Sequence, residues 1–110
     1  MKKDLNEEAL ILIAGSFRIL AEPARLKILH TLGTDELNVS ELVVRTGLSQ
    51  TTVSRQLAIM LNSGVVARRR EGLTANYRVT DETIFDICDT VCARLQTQLE
   101  RRKDALESML

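Results

Sequence analysis

The stretch Gly47 to Gly64, GLSQTTVSRQLAIMLNSG, restricts what this chain can become more than any other. Ser49 stands where a hydroxyl can cap a helix, and Asn62, Ser63 and Gly64 can end one. Between them Val53, Leu57 and Leu61 recur at fourfold spacing with Ile59 and Met60 beside them, so one face can be buried. The opening turn is polar. Gln50, Thr51, Ser54 and Arg55 point outward in this reading, and amide, hydroxyl and guanidinium groups on an exposed turn are what base edges and phosphates in a major groove pair with.

The residues upstream supply a partner for this helix. Val39 to Thr46 reads as a short helix capped by Asn38 or Ser40 and anchored by Leu42 and Val43. The tight Gly47, Leu48, Ser49 connection turns two such helices into a helix-turn-helix whose second member is the reading element. Earlier still, Pro23 fits the first turn of a helix over Pro23 to Leu32, where its missing N–H is harmless. Leu26, Ile28, Leu29 and Leu32 give that helix a core face, Gly33 stops it, Lys27 and His30 lie toward solvent or a partner, and Thr34 to Asn38 is a loop. Leu5 to Ala21 is a first helix with two apolar stripes, Leu5, Ala9, Leu12 and Ser16 on one and Leu10, Ile13, Phe17 and Leu20 on the other. Two stripes imply two packing partners.

Downstream, Val65 to Arg70 and Asn76 to Val79 read as short strands, with Glu71 to Ala75 and its Gly72 as the hairpin loop. Two strands after a reading helix make a wing. From Asp81 to Leu110 a long helix carries Phe85, Cys88, Cys92, Leu95 and Leu99 at 3,4,3,4 spacing, broadened by Ile84, Ile87 and Val91. Asp81 and Glu82 favour its start through the helix dipole. The predicted fold class is mainly α with a small β-hairpin, a winged helix-turn-helix. It is one domain over residues 1–110, with the helix-turn-helix at 39–63 and the wing at 65–79.

At 110 residues a single core is small, and oligomerisation would help it. A formal net charge of zero looks unpromising for nucleic acid, but its distribution reverses that impression. Leu42 to Arg70 contains no acid and five arginines, Arg45, Arg55, Arg68, Arg69 and Arg70, which is a local basic field. Lys2 and Lys3 are followed by Asp4, Glu7 and Glu8, and the apolar run Ala9 to Ala14 is too short for a signal peptide or a membrane span, so the expected location is cytoplasmic, with no membrane partner. There Cys88 and Cys92 are thiols, ligands or redox switches rather than a structural disulfide. No nucleophile with a neighbouring base, no glycine-rich phosphate loop and a single histidine leave an enzyme without support.

With LAEPARLKILHTL, VSELVVRTGLSQTTVSRQLAIMLNSGVV and RRREG in this order, the chain resembles the ArsR/SmtB family of winged-helix bacterial repressors from about Phe17 to Val79. The resemblance implies a homodimer built on the first and last helices, residues 5–21 and 81–110, bound to double-stranded DNA at an imperfect palindrome and released by an inducer. By the family pattern, Gln50, Thr51, Ser54 and Arg55 read bases, Ser49 and Thr52 lie at phosphates, and Arg69 and Arg70, with Arg68, are wing phosphate contacts. The bland alternative for the arginines is a charged strand edge. A winged-helix module that binds protein is the competing function, and the acid-free basic segment argues against it.

The family's sensing sites are largely missing. Where a Cys-Val-Cys motif would stand, the residues are Asn38, Val39 and Ser40, and the last helix has Asp86 and Cys88 but no histidine, with Leu99 eleven residues beyond Cys88. Cys88 and Cys92 remain, four apart on one helix face. Such Cβ atoms lie about 5–6 Å apart, beyond the roughly 3.5–4.5 Å of a disulfide, so an intrachain bridge requires helix distortion. No cofactor is required for folding. The pair could share a soft ion such as arsenite, cadmium or copper(I), undergo oxidation or persulfide formation, or serve only as small hydrophobes on the seam, leaving a regulator without cysteine sensing.

Overall fold

The structure is a computed structural model that describes residues 4–110; Lys2 and Lys3 lie outside the described residues. Its elements run α1 (Glu7–Ile19), α2 (Pro23–Leu32), β1 (Leu37–Asn38), α3 (Val39–Thr46), α4 (Gln50–Ser63), β2 (Val66–Glu71), β3 (Thr74–Val79) and α5 (Thr83–Ser108). They form two compact units, one ending at Thr80 and one spanning Asp81–Leu110.

In the first unit α2, α3 and α4 pack on one another and on the sheet. Ile28, Leu29 and Leu32 of α2, Leu42 of α3 and Val53, Leu57 and Met60 of α4 meet Leu37, Val66, Tyr77 and Val79 of the strands in one core. Each such aliphatic side chain contributes about 1.5–3 kcal/mol by leaving water. Local chemistry sets the helix limits. Asn38 closes a capping box, its Oδ1 accepting from Glu41 N at 2.9 Å while Glu41 Oε1 accepts from Asn38 N at 3.0 Å. Gly47 and Gly64 follow α3 and α4 at φ 74° and 85°, the left-handed region in which a side chain would be strained.

The sequence reading of α2, α3 and α4 agrees with these limits, and four details differ. First, α1 starts at Glu7, not Leu5, because Asn6 Oδ1 accepts from Ala9 N at 2.8 Å and caps it. It ends at Ile19, not Ala21, because the amides of Leu20 and Ala21 bond three residues back, to Phe17 O and Arg18 O. No residue of α1 is buried, and Leu10, Ile11, Leu12, Ile13 and Phe17 are exposed. Second, part of the loop Thr34 to Asn38 is a strand: Leu37 pairs with Tyr77 and Asn38 with Asn76, giving an antiparallel sheet of order β1-β3-β2.

Third, the hairpin loop is two residues rather than five. Glu71 pairs with Thr74, so only Gly72 and Leu73 turn, and Gly72 at φ 62° with no positive φ at Leu73 has the sign pattern of a type II′ turn. Fourth, α5 begins at Thr83, where Asp81 Oδ1 accepts from Thr83 N at 2.9 Å. That hydrogen bond holds the Asp81 carboxyl below the usual carboxylate range. Taken by itself, α5 is a 26-residue helix with no buried residue; Ile87, Val91, Leu95, Leu99 and Leu106 are exposed along it. No helix among the described residues is long and apolar enough to cross a membrane.

Candidate nucleic-acid interface

The turn before α4 is fixed from both sides. Thr46, buried at the end of α3, donates from Oγ1 to Leu42 O at 2.6 Å and accepts from Leu48 N at 3.2 Å, which directs the chain from one helix into the next. Ser49 then caps α4, its Oγ accepting from Thr52 N at 3.1 Å and donating to Thr52 Oγ1 at 2.9 Å. From this start the helical period settles which side chains face out. Val53, Gln56, Leu57 and Met60 are buried, Thr52 is half-buried, and Gln50, Thr51, Ser54 and Arg55 are exposed on one surface. The four residues expected to read bases therefore share the solvent face of one helix, and Ser49 and Thr52 sit at its leading end.

Gln56 was not singled out in the sequence and is the one polar side chain of α4 in the core, 7% exposed. Its Oε1 accepts from Arg25 Nη1 at 2.9 Å, so burial is compensated by a charge-assisted hydrogen bond from α2. An isolated Gln in a polar run carries no signal of this kind, because its partner lies 31 residues away.

The wing arginines are not equivalent. Arg68 pairs across the hairpin with Tyr77 and Arg70 with Ala75, which puts both on the face shared with Val66, Tyr77 and Val79, the core side of the sheet against which α4 packs. Arg69 pairs with Asn76 and points to the opposite face. There its Nε donates to Glu36 Oε1 at 2.8 Å, Nη2 donates to the same oxygen, and Nη2 also reaches Glu71 Oε2 at 3.2 Å. The hydrogen bond from Arg69, with added attraction from Arg69 and Arg78, lowers the Glu36 carboxyl, and Glu36 raises the Arg69 guanidinium in turn. Arg68, Arg69 and Arg70 are all exposed, but only Arg69 is held by two carboxylates.

In α5, Cys92 is exposed, Cys88 is half-buried, and both are free thiols. Burial pushes the Cys88 thiol up, and the neighbouring Asp89 adds to that. Among the described residues no three of His, Cys, Asp and Glu are grouped to hold a metal ion. His30 lies on the outer side of α2 with Nδ1 2.9 Å from Leu26 O.

The family model for the bacterial regulatory proteins of the arsR family matches residues 22–68, the span from the start of α2 into β2. A biofilm growth-associated repressor of Xylella fastidiosa (strain Temecula1 / ATCC 700964) is 37% identical over 98 residues, 89% of this chain and 82% of that protein. The chain belongs to the ArsR family.

A second relative, named a probable mercury resistance operon repressor, from Streptomyces lividans, is 38% identical over 74 residues, 67% of this chain; the chain spans 59% of that protein's length. Among solved structures, the homodimeric winged helix-turn-helix DNA-binding domain of a possible ArsR-family transcriptional regulator from Mycobacterium bovis superimposes with a TM-score of 0.70 at 30% identity, covering 92% of this chain and 95% of that one. The ArsR-family chain described here is accordingly a winged helix-turn-helix, DNA-binding transcriptional repressor and not an enzyme.

Proposed function

We propose that the ArsR-family chain acts as a homodimer on an imperfect palindrome in double-stranded DNA, with Gln50, Thr51, Ser54 and Arg55 at base edges and Ser49 and Thr52 at phosphates. The observation that carries this reading is the exposed polar face of α4 within a segment, Leu42 to Arg70, that contains no acid. Arg68 and Arg70 take the wing phosphates, and Arg69 braces the wing against Glu36. The exposed apolar residues of α1 and those of α5 each offer a face to a second copy, in keeping with the homodimeric relative. Two reading helices related by a two-fold axis meet major grooves roughly 34–36 Å apart, or a multiple of that spacing.

Release is assigned to a thiol-reactive inducer at Cys88 and Cys92. The four-residue spacing on one helix face supports a shared ligand, and a relative's name refers to mercury resistance, a soft, thiophilic metal. With no third ligand grouped near the pair among the described residues, a soft ion such as arsenite, cadmium or copper(I) would take two thiolates here and complete its shell from a second copy. Exposed Cys92 meets an electrophile, an oxidant or a persulfide first, and Cys88, its thiol raised by burial, follows.

In vitro selection from random duplex tests the first half: the reading expects an enriched inverted repeat and binding that weakens steeply with salt. Failure to enrich any sequence sinks it. Challenging the complex with arsenite, cadmium, copper(I), peroxide and a persulfide donor tests the second half. The Cys88→Ser/Cys92→Ser double variant should hold DNA and ignore the agent that releases the native protein; a normal response removes the pair from the mechanism.

A further inference from the structure

Arg25 is a half-buried cation in the first turn of α2, and all three groups it touches belong to other elements. Its Nε donates to Ile19 O at 2.8 Å and its Nη2 reaches Arg18 O at 3.4 Å, both among the last carbonyls of α1. Its Nη1 donates to Gln56 Oε1, inside the buried face of α4. The last carbonyls of a helix lack the regular amide partner four residues on; Arg18 O accepts from Ala21 N, and the guanidinium adds a charged donor to it and to Ile19 O and sits well in the helix dipole. The planar fork of arginine can reach α1 and α4 at once, which a single ammonium cannot.

Gln56 is placed to respond. It lies one residue after Arg55 and two after Ser54, on the opposite side of the same helical turn. A rotation of α4 about its axis that broke the Arg25 bond would swing Ser54 and Arg55 away from their positions. Apolar contacts at Val53, Leu57 and Met60 resist translation of the helix but are non-directional; the Arg25–Gln56 bond is directional and defines the angle.

We infer that Arg25 is a positioning residue for DNA reading: it fixes the rotation of α4 relative to the C-terminal end of α1 through Gln56. The inference rests on α4 being the base-reading helix. It also gives α1, whose exposed apolar face is offered to a second copy, a polar connection to the reading surface that passes through one side chain.

The test measures affinity for the best duplex from selection and for a random duplex, using the full chain. The variants are native, Arg25→Lys, Gln56→Met and the double variant. Methionine keeps the length of glutamine without its acceptor, and lysine keeps the cation without the fork. A loss of folded protein lowers both affinities together and leaves their ratio unchanged. Loss of positioning lowers the ratio. Each single variant is expected to reduce the ratio about tenfold, the scale of one hydrogen bond to a charged group, with the double variant no worse than either single one. A ratio unchanged in both single variants overturns the inference, as does a double variant whose loss is the product of the two. A native protein that does not distinguish the two duplexes overturns the DNA-reading assignment itself, and the two failures are thereby told apart.

Discussion

Three adjacent arginines on one strand would ordinarily be expected to contribute alike to DNA binding, but in the wing their surroundings differ. Arg68 and Arg70 extend from the core side of the hairpin, whereas Arg69 lies on the other face between Glu36 and Glu71. A cation that neutralises a phosphate releases counterions, and each such contact adds about 0.9 to the slope of log K against log salt. In the proposed dimer, with Arg68 on a phosphate in each copy, Arg68→Ala removes two contacts and should flatten the slope by about 1.8. A fourfold rise in salt would then weaken the native protein roughly tenfold more than the variant. Arg70→Ala should behave alike. Arg69→Ala should change the slope little, because its charge is already answered within the protein. Glu36→Gln releases Arg69 from its closer partner and should steepen the slope, leaving Glu71 as the remaining brake. Fluorescence anisotropy on the selected duplex between about 50 and 300 mM salt resolves slopes of this size. If Arg69→Ala flattens the dependence as much as Arg68→Ala, the division of the wing into phosphate-contacting and bracing arginines is wrong.

Arg55→Ala should cost about 1–3 kcal/mol on the preferred duplex and change the order of preference among sequences, checked by repeating the selection; a uniform loss reassigns Arg55 to a phosphate. Gly64→Ala meets no atom within 4 Å of the added Cβ, so its cost is only the left-handed backbone at φ 85°, about 1–2 kcal/mol, read as a lower denaturation midpoint with an unchanged slope. Asp81 and Glu36 have carboxyls lowered in the folded chain, so their contribution to stability is complete above the unfolded carboxylate value and fades as pH falls through the folded one. Asp81→Asn or Glu36→Gln should each flatten the acid side of the stability profile and leave the region above it parallel to the native curve.

What could be read in advance follows the range of the interactions. Pro23, Gly33, Asn38, Gly47, Ser49 and Gly64 act within a turn of where they stand, and the helices they bound came out of the sequence at their observed limits. The outward face of α4 was equally legible, since helical period alone separates Ser54 and Arg55 from Val53 and Leu57. The strand β1 was not: two residues show no alternation, and Leu37 and Asn38 acquire their pairing only when Tyr77 and Asn76 arrive from about 40 residues away. The hairpin loop is shorter than its composition suggests for a related reason. Glu71 and Ala75 are poor indicators of strand, and register is set by the two-residue turn at Gly72 and Leu73. The Arg69–Glu36 and Arg25–Gln56 links span 33 and 31 residues, so no local pattern announces either one.

These long-range links bear on how a chain of zero net charge can hold DNA. Charge placed at helix ends matters as much as the total. The first turns of α1, α3 and α5 carry acids, Glu7 and Glu8, Glu41 and Asp86, which offset the positive end of each helix dipole. α4 has none and is capped by the neutral Ser49. An acid there would stabilise the helix by roughly 0.3–1 kcal/mol, and that stabilisation is forgone at the helix whose exposed residues are assigned to base edges. The leading amides of α4 keep their partial positive charge on the side where a phosphate would lie, so Ser49→Asp is the informative substitution. It retains an N-cap side chain and adds the acid the helix would otherwise favour, so folding stability should hold or rise. Affinity for the selected duplex should nevertheless fall, and fall for random duplex in parallel, because the added charge opposes the phosphates rather than any base. A variant that is more stable and binds as tightly as the native chain would place the phosphate backbone away from the start of α4.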